Sequence, residues 1–160
     1  QAQAYRKQYG FNVISLLPVN LYGPRDNFDP KSSHVIPALI KRALDGEDPF
    51  VVWGSGEQTR AFLYARDFAE GILEVCEKYA EADPVNIGAN EEIKIKDVVR
   101  LILDIVGKNP KIVYDKSKPE GQPRRNCDTT KAEKVIGWKA KTSMRDGLKA
   151  AIEWYKQSKV

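Results

Sequence analysis

Residues 17–37 read LPVNLYGPRDNFDPKSSHVIP, and our interpretation of the chain starts from this stretch. The preceding residues, 11–17, are rich in β-branched and aromatic side chains, which predicts one buried strand. Pro18 has no amide hydrogen to donate, so we expect the regular strand to end there. A polar loop then leads to His34 and an apolar helix. Because ligands of α/β proteins bind where strands end, this loop is a predicted binding site.

The composition is that of a folded domain of modest size. The chain has 160 residues, 42% hydrophobic and 30% charged, and no apolar run approaches the roughly 20 residues of a membrane span. Its net charge is +4, with the excess of lysine and arginine after residue 107. Such an excess is typical of a site for an anionic ligand, such as a nucleotide diphosphate, or of a solvated basic face. With no nucleic-acid-binding motif present, we expect neither a nucleic-acid nor a membrane partner.

The two cysteines do not form the spacing pattern of a disulfide framework. Cys76 falls on a predicted helix and Cys127 in a loop after a basic pair. This usage indicates a reduced, cytoplasmic protein. No metal site is predicted.

The periodicity of the remaining chain predicts a mixed α/β protein with short strands. Helices are expected at 1–9, 35–44, 67–79, 96–106, 130–136 and from 143 onward, and strands at 50–53, 60–65, 84–88, 93–95 and 111–114. Asp67 is the expected N-cap of the third helix, Thr130-x-x-Glu133 is a candidate capping box, and Ser143-x-x-Asp146 is expected to open the last helix. This pattern favours a small α/β subdomain over a complete doubly wound sheet.

Six segments carry a family resemblance, in the order LPVNLYGPRDNFDP, SSHVIPALI, VVWGSGEQTRAFLY, ARDFAEGI, VNIGANEEIKIKDV and KPEGQPRRNCDTTKAEKVIGW. With them the chain resembles the carboxy-terminal half of the extended short-chain dehydrogenase/reductases (the NAD-dependent epimerase/dehydratase family), in particular their GDP-L-fucose synthase branch. The resemblance covers essentially the whole chain. It implies the last part of a Rossmann-like sheet plus the small α/β substrate-binding subdomain. We assign residues 1–33 to a remnant of the dinucleotide-binding domain and 34–160 mainly to a nucleotide-sugar-binding domain.

The resemblance implies that His34 is an acid/base of epimerisation. Epimerising a carbon beside a keto group requires proton removal on one face and delivery on the other, and imidazole titrates near neutral pH. Judged without the surrounding motif, this histidine is a helix cap or a surface residue. The resemblance also implies cofactor contacts beside the nicotinamide, at Pro18, Val19, Asn20, Leu21 and His34.

The implied substrate contacts are Asn20, Val35, Leu39, Arg42, Trp53, Arg60, Glu120 and Arg125. Arginines suit a diphosphate because a guanidinium makes charge-assisted, bidentate hydrogen bonds. Trp53 offers a flat apolar wall, with ordinary core packing as the alternative for this residue, Val35 and Leu39. Glu120 stands where the family usually has aspartate, so the identity of the nucleoside base is left open.

The glycine-rich dinucleotide fingerprint of complete family members does not occur in this sequence. The spacing Tyr-x-x-x-Lys occurs at 114–118 and 155–159, but the resemblance implies that the family's catalytic tyrosine and lysine precede residue 1. The resemblance implies a parent protein that epimerises and reduces GDP-4-keto-6-deoxy-mannose with NADP(H) or NAD(H). We expect this chain alone, without its amino-terminal Rossmann half, to bind no cofactor and to be inactive. Its expected partners are a nucleotide sugar, with a GDP-hexose favoured, and a second copy of the chain.

Besides a basic nucleic-acid-binding domain, which would need a steep salt dependence of oligonucleotide binding, two alternatives stay open at this level. One is a related epimerase or dehydratase that acts on UDP or dTDP sugars, which comparison of nucleotide affinities would separate. The other is a non-catalytic nucleotide-sugar-binding module, in which replacement of His34 would leave activity unchanged.

Overall fold

The structure is a computed structural model that describes residues 1–158, so the last two residues of the predicted 34–160 domain lie outside the described part. In this part of the chain the elements are, in order, α1 (Ala2–Tyr9), β1 (Leu16–Pro18), β2 (Asn20–Tyr22), α2 (Val35–Asp45), β3 (Phe50–Trp53), β4 (Thr59–Tyr64), α3 (Ala65–Lys78), β5 (Val85–Ile87), β6 (Glu92–Lys94), α4 (Ile95–Val106), β7 (Ile112–Asp115), β8 (Arg124–Arg125), α5 (Thr130–Ile136) and α6 (Met144–Ser158). The predicted mixed α/β chain with short strands is confirmed.

Helix ends follow local sequence signals closely. α1 ends at Gly10, whose φ is 65°, and α4 ends at Gly107, whose φ is 74°. Glycine adopts this left-handed conformation without the steric cost that a Cβ brings, which is why it stops both helices. The predicted glycine stops at these positions are confirmed.

The first strand ends at Pro18, as predicted. β1 covers Leu16–Pro18, and its partner is β5, in parallel register from Leu16↔Val85 to Pro18↔Ile87. Pro18 is therefore the last residue of the strand, and it still pairs with β5. The amide of Val19 donates to the carbonyl of Ile87 at 3.2 Å. The backbone amides of successive strand residues point to opposite edges of the strand. The nitrogen of Pro18 therefore faces away from β5, and its missing hydrogen removes no hydrogen bond to β5.

The expectation that residues 11–17 form a buried strand is wrong in extent and in burial. Val13 forms only an isolated bridge with Glu81, and regular pairing begins at Leu16. Phe11 is 60% exposed and Leu17 54% exposed. Apolar, β-branched sequence gives these residues strand propensity, but burial also requires packed neighbours on both faces.

Two predicted caps are wrong and one is confirmed. α3 begins at Ala65 with Tyr64 as its N-cap, so Asp67 lies within the first turn and is not the cap. α5 takes Thr129 as its N-cap, without a side-chain cap hydrogen bond, so the Thr130-x-x-Glu133 box does not form. Ser143 does open α6, because its Oγ accepts the amide of Asp146 at 3.1 Å.

The described residues form two units, each assembled from three segments of the chain. The first comprises Gln1–Leu21, Ala61–Glu91 and Asn126–Thr142. Its core packs around the β1–β5 pair and the later part of β4, with the buried side chains Val19, Ala61, Leu63, Val75, Val85, Ile87, Ala132, Ile136 and Trp138. Gly71 of α3 belongs to this core, where an added Cβ would lie 3.1 Å from the Trp138 ring.

A buried carboxylate fixes the end of the first unit. Asp67, 5% exposed, accepts hydrogen bonds from the amides of Lys141 and Thr142, both at 2.8 Å, and from the Thr142 hydroxyl at 2.7 Å. Backbone donors in an irregular segment need partners when they are buried. The carboxylate of Asp67 therefore holds the segment at residues 141–142 against α3.

The second unit comprises Tyr22–Arg60, Glu92–Arg125 and the residues from Ser143 onward. β3 and β7 pair in parallel, from Phe50↔Ile112 to Trp53↔Asp115. Helix α4 packs against both α2 and α6. The start of β4 has β6 as a neighbour and also pairs in parallel with β8.

No helix among residues 1–158 has the length and apolar character needed to cross a membrane. The assignment of 1–33 and 34–160 to two functional domains concerns the complete protein, and it stays a prediction.

Candidate functional site

Two arginines lie side by side in the second unit. β4 and β8 pair in parallel with the register Thr59↔Arg124 and Arg60↔Arg125, and the amide of Thr59 donates to the carbonyl of Pro123 at 2.9 Å. Paired residues in a sheet point to the same face, so Arg60 and Arg125 place two guanidinium groups on one face. Like charges at such positions repel each other, and a bound anion would relieve that repulsion.

The loop after β7 reaches the end of β3. Glu120 accepts a hydrogen bond from the amide of Ser55, and its side chain lies so close to Gly54 that an added Cβ there would overlap it. Gly54 also has a φ of 77°, so a larger residue would be strained at this position. The Glu120 side chain thereby lies against Gly54 and Ser55, the two residues that follow Trp53 at the end of β3.

The indole of Trp53 is a flat exposed surface beside this loop. Its residue is 60% exposed, and the ammonium of Lys118 lies 5.9 Å from the ring centroid. This distance is within the range of a cation–π interaction. Trp53 is therefore not the core tryptophan of the alternative interpretation, since most of its side chain meets solvent.

Contacts link these residues into one group on the second unit. Lys118 and Glu120 belong to one loop, and an added Cβ at the next residue, Gly121, would lie 3.5 Å from Nη2 of Arg60. Arg60 is in turn the register partner of Arg125. We call Trp53, Arg60, Lys118, Glu120 and Arg125 the arginine cluster. It combines a flat aromatic face, three cationic groups and one carboxylate, which suits a ligand with a ring system and phosphates.

Sequence reasoning found four of these five residues and missed Lys118. The signal available for it was weak, because a lysine in the basic segment DKSKPEG is most often a solvated side chain. Its position over Trp53 depends on the path of the loop after β7.

His34 stands at the N-cap position of α2. Its backbone is extended, with φ −75° and ψ 172°, and its side chain makes no cap hydrogen bond. The residue is exposed. Only the backbone of His34 thus occupies the cap position. Its imidazole does not cap the helix and lies at the surface of the second unit.

The loop before His34 is held by its own hydrogen bonds and by α6. Asn27 Oδ1 accepts the amide of Asp29 at 2.9 Å, and the Asp29 carbonyl accepts the amide of Ser33 at 2.8 Å. The ring of Phe28 stacks on Tyr155 of α6, with centroids 4.1 Å apart and planes 19° apart. These contacts fix the path of the chain into His34.

Arg42 contacts three residues within the second unit. Its Nε donates to Glu47 Oε2 at 2.6 Å, its Nη2 donates to the carbonyl of Val51, and its guanidinium lies 4.6 Å from the centroid of Phe50. The Arg42 hydrogen bond is the main cause of the lowered pKa of Glu47. The described contacts join α2 to β3 and do not bring Arg42 to the arginine cluster. Its role in substrate binding stays a prediction.

Val35 and Leu39 occupy different environments on α2. Val35 is 39% exposed, whereas Leu39 is 5% exposed and belongs to the core. Their predicted substrate contacts are not tested by the structure.

The predicted cofactor segment lies in the first unit and is fixed by strand pairing. Val19 is 9% exposed, and its amide donates to Ile87. The side-chain amide of Asn20 donates to the carbonyl of Ala61 at 2.9 Å, and Leu21 packs on the same core. Pro18 is exposed. The roles of these residues beside a nicotinamide stay predictions.

Cys127 belongs to the packing of the first unit. An added Cβ at Gly88 would collide with its sulfur, and burial raises the pKa of the Cys127 thiol. Cys76 is exposed. Within residues 1–158 no group of three or more His, Cys, Asp and Glu side chains is placed to hold a metal ion.

Fold and side-chain geometry together define an α/β protein with parallel strand pairs and a cationic, aromatic cluster that is a candidate ligand site. Residues 1–88 match the model of the NAD dependent epimerase/dehydratase family, which is more than half of the chain. The chain belongs to the NAD-dependent epimerase/dehydratase family.

Relatives in sequence agree with this assignment. The chain is 42% identical over 157 residues to a protein of Oryza sativa subsp. japonica named probable GDP-L-fucose synthase 1, covering 96% of this chain and 48% of the relative. It is 43% identical over 155 residues to the GDP-L-fucose synthase of Sinorhizobium fredii, covering 94% of this chain and 49% of the relative. The chain thus spans about half the length of the curated relatives it matches.

Solved structures agree on the fold. A GDP-6-OMe-4-keto-L-xylo-heptose reductase from C. jejuni matches with a TM-score of 0.87 at 26% identity, covering 98% of this chain and 57% of that structure. The UDP-glucose 4-epimerase of Thermotoga maritima with UDP-glucose matches with a TM-score of 0.85 at 28% identity, covering 98% and 50%. The predicted fold class and the resemblance to the GDP-L-fucose synthase branch are confirmed.

Proposed function

We propose that this chain is the substrate-binding part of a nucleotide-sugar epimerase/reductase. Its substrate is a GDP-4-keto-6-deoxy-hexose, most specifically GDP-4-keto-6-deoxy-mannose, which the complete protein converts to GDP-L-fucose. The pairing of Arg60 with Arg125 carries the proposal, because two guanidinium groups on one face match the charge of a diphosphate. The 42–43% identity to proteins named GDP-L-fucose synthase supports GDP as the nucleotide.

Each side chain of the arginine cluster contacts a different part of the ligand. Arg60 and Arg125 bind the diphosphate, and the exposed face of Trp53 provides a surface on which a base or sugar ring packs. Lys118 adds positive charge beside that ring. Glu120, as a carboxylate, accepts hydrogen bonds from N–H or O–H groups of the nucleoside.

His34 supplies one proton-transfer step. A ring nitrogen of the neutral imidazole takes a proton from the carbon beside the C4 ketone, the C–H electrons form an enolate, and the oxygen carries the charge. Return of a proton to the opposite face of that carbon inverts its configuration, which requires a second acid. That acid comes from the rest of the complete protein.

We expect that this chain by itself forms no site for NADP(H) or NAD(H). The amide of Val19 and the side-chain amide of Asn20 are bonded to Ile87 and Ala61, and the glycine-rich fingerprint does not occur in the sequence. In the complete protein a bound dinucleotide would supply the hydride that reduces the ketone. The chain alone therefore binds the nucleotide sugar and has no reductase activity. Its cytoplasmic location and pairing with a second copy stay predictions.

Nucleotide binding by the 160-residue chain tests the proposal most directly. Calorimetric titration with GDP, UDP and dTDP should give the highest affinity for GDP, and replacing Trp53 with alanine should weaken all three. Tighter binding of UDP or dTDP would overturn the choice of nucleotide in favour of a related epimerase or dehydratase. Absence of binding by any of them would overturn the site.

The catalytic part of the proposal requires the complete protein. It should oxidise NADPH only when the GDP-4-keto-6-deoxy sugar is present, whereas the chain alone should not. Turnover by the isolated chain would contradict the assignment of hydride transfer to residues outside it. Full activity of a His34→Ala variant would favour a non-catalytic binding module.

A further inference from the structure

Glu92 is the centre of a hydrogen-bonded group next to the arginine cluster. It has no role among the proposed ligand contacts or in the proposed proton transfer. Arg124 donates three hydrogen bonds to the carboxylate of Glu92, from Nε to Oε1 at 2.9 Å, from Nε to Oε2 at 3.0 Å and from Nη2 to Oε2 at 2.8 Å. The hydroxyl of Thr59 donates to Oε1 of the same carboxylate. The side chain of Glu92 is only 22% exposed, whereas that of Arg124 is 70% exposed.

This group joins three strands of the second unit. Glu92 belongs to β6, Thr59 to β4 and Arg124 to β8. Thr59 and Arg124 are register partners, and the next pair in the register is Arg60 with Arg125. Successive side chains of a strand point to opposite faces, so Glu92 binds the β4–β8 pair on the face opposite the two arginines.

β8 depends on these contacts because it is short. It has two residues, Arg124 and Arg125, and the loop before it is exposed. A backbone hydrogen bond from Thr59 to Pro123 holds this segment on β4, and the hydrogen bonds from Arg124 to Glu92 join it to β6. Two strand residues alone are too few to form a stable ladder.

We infer that Glu92 is a positioning residue for the diphosphate: it holds β8 in register so that Arg125 stays opposite Arg60. The inference rests on the proposed function, because it requires a diphosphate at the arginine cluster. Glu92 acts through Arg124 and does not contact the ligand.

Simple electrostatics predicts the opposite effect, which makes the inference easy to test. Removing a negative charge near an anion site strengthens anion binding by Coulomb attraction. Loss of a positioning contact instead weakens anion binding. A guanidinium displaced by about 1 Å no longer meets the phosphate oxygens with good geometry, and misplacement of that size lowers affinity.

The experiment compares GDP and guanosine binding by the wild-type chain and Glu92→Gln, titrated at 50 mM and 200 mM salt. We expect the Kd for GDP to rise at least about tenfold, as for a lost charge-assisted contact, while the Kd for guanosine changes less than about twofold. A GDP affinity that is unchanged or higher in Glu92→Gln overturns the inference. An equal loss for GDP and guanosine also overturns it, because that result indicates general unfolding.

Glu57→Gln is the matched control in the same unit. Its carboxylate pairs with Lys94 and Lys96 rather than with an arginine of β8. Its removal should leave GDP affinity unchanged or slightly increased. A loss equal to that of Glu92→Gln would overturn the specific role of Glu92.

A second variant and a second measurement keep the test independent of the folding of one mutant. Arg124→Met should reproduce the loss of GDP affinity, and the double variant should add little to either single change. Hydrogen exchange at the amide of Thr59, which bonds Pro123, should be faster in both single variants. Additive losses with unchanged exchange would overturn the inference.

The outcomes separate this inference from the proposed function. If wild type binds GDP and Arg60→Ala does not, the proposed site holds whatever Glu92→Gln shows. If wild type does not bind GDP, both the site and the role of Glu92 are overturned.

Discussion

Arg60 of β4 and Arg125 of β8 are direct partners across a parallel strand pair. Two like charges at such positions destabilise the sheet unless a counter-charge is near. The neighbouring pair, Thr59 and Arg124, has its counter-charge in Glu92, on the other face. On the face of Arg60 and Arg125, we propose that an anionic ligand takes that role.

Replacing either arginine of this pair should weaken GDP binding. Hydrogen bonds to charged groups contribute about 1.5–3 kcal/mol, so Arg60→Ala or Arg125→Ala should raise the Kd for GDP by roughly 10- to 100-fold. Lysine at either position should recover only part of the loss, since it keeps the charge without the planar fork. Calorimetric titration of the chain measures both effects.

Arg66→Ala is the control for this pair. Its side chain is 80% exposed in the first unit and pairs only loosely with Glu70, at 3.4 Å. It removes the same charge from the protein at another place. A loss of affinity as large as that of Arg60→Ala would mean that net charge, and not the paired arginines, determines GDP binding.

His34 should matter for chemistry and not for stability. Because its side chain makes no cap hydrogen bond, His34→Asn should leave the melting temperature of the chain unchanged within about 1 °C, in line with the small effect of surface substitutions. In the complete protein it should slow exchange of the sugar C–H protons with solvent deuterium by about 10²- to 10⁴-fold.

Mass spectrometry or NMR of the sugar after incubation in D₂O gives the exchange rate. Lys31→Gln, an exposed position in the same loop, is the control and should exchange at the wild-type rate. Undiminished deuterium incorporation in His34→Asn would remove this histidine from the mechanism.

Local sequence signals predicted the helices well, because glycine stops and apolar periodicity act within a few residues. α2 and α4 begin and end within about two residues of the predicted bounds, and α6 begins within one residue of its predicted start, which is within the usual uncertainty of helix ends. The resemblance supplied Trp53, Arg60, Glu120 and Arg125, which the structure brings together in the second unit.

Features that depend on distant parts of the chain could not be predicted locally. The extent of β1 is set by pairing with β5, so the strand begins near Leu16 although propensity favours residue 11. β8 has no strand signal of its own and exists through its pairing with β4. Lys118 meets Trp53 only because the loop after β7 returns to β3.

Asp67 should be among the most important polar residues for stability. Its sequence neighbours indicated a helix cap, but its partners Lys141 and Thr142 lie more than 70 residues further along. Asp67→Ala leaves two buried amides and a hydroxyl without their acceptor, so the free energy of unfolding should fall by about 2–4 kcal/mol. Urea denaturation followed by circular dichroism measures the change.

Asp97→Ala is the matched control for Asp67. Its side chain is 44% exposed and pairs with Arg100 at 3.2 Å on the surface of α4. Surface substitutions of this kind change stability by about 0.5 kcal/mol or less. If Asp67→Ala is no more destabilising than Asp97→Ala, the hydrogen bonds of Asp67 do not contribute as the packing indicates.

Glu57 should make the stability of the second unit depend on acidity. Hydrogen bonds from Lys94 and Lys96 lower the pKa of Glu57 from 4.5 to about 2. Because the folded pKa lies below the unfolded one, the ionised carboxylate stabilises the fold above pH 4.5, and this contribution is lost as the pH falls from 4.5 towards 2. The melting temperature of wild type should therefore exceed that of Glu57→Gln at pH 7, and the two should converge near pH 2.

Melting curves of both proteins at half-unit steps from pH 7 to pH 2 give this difference directly. The side chain of Glu57 is half exposed, so the difference should be small and should shrink when salt is added. Lys96→Met removes one of the two donors and should reduce the difference between Glu57 and its glutamine variant. A difference that stays constant down to pH 2 would show that the carboxylate of Glu57 is not stabilised by these lysines.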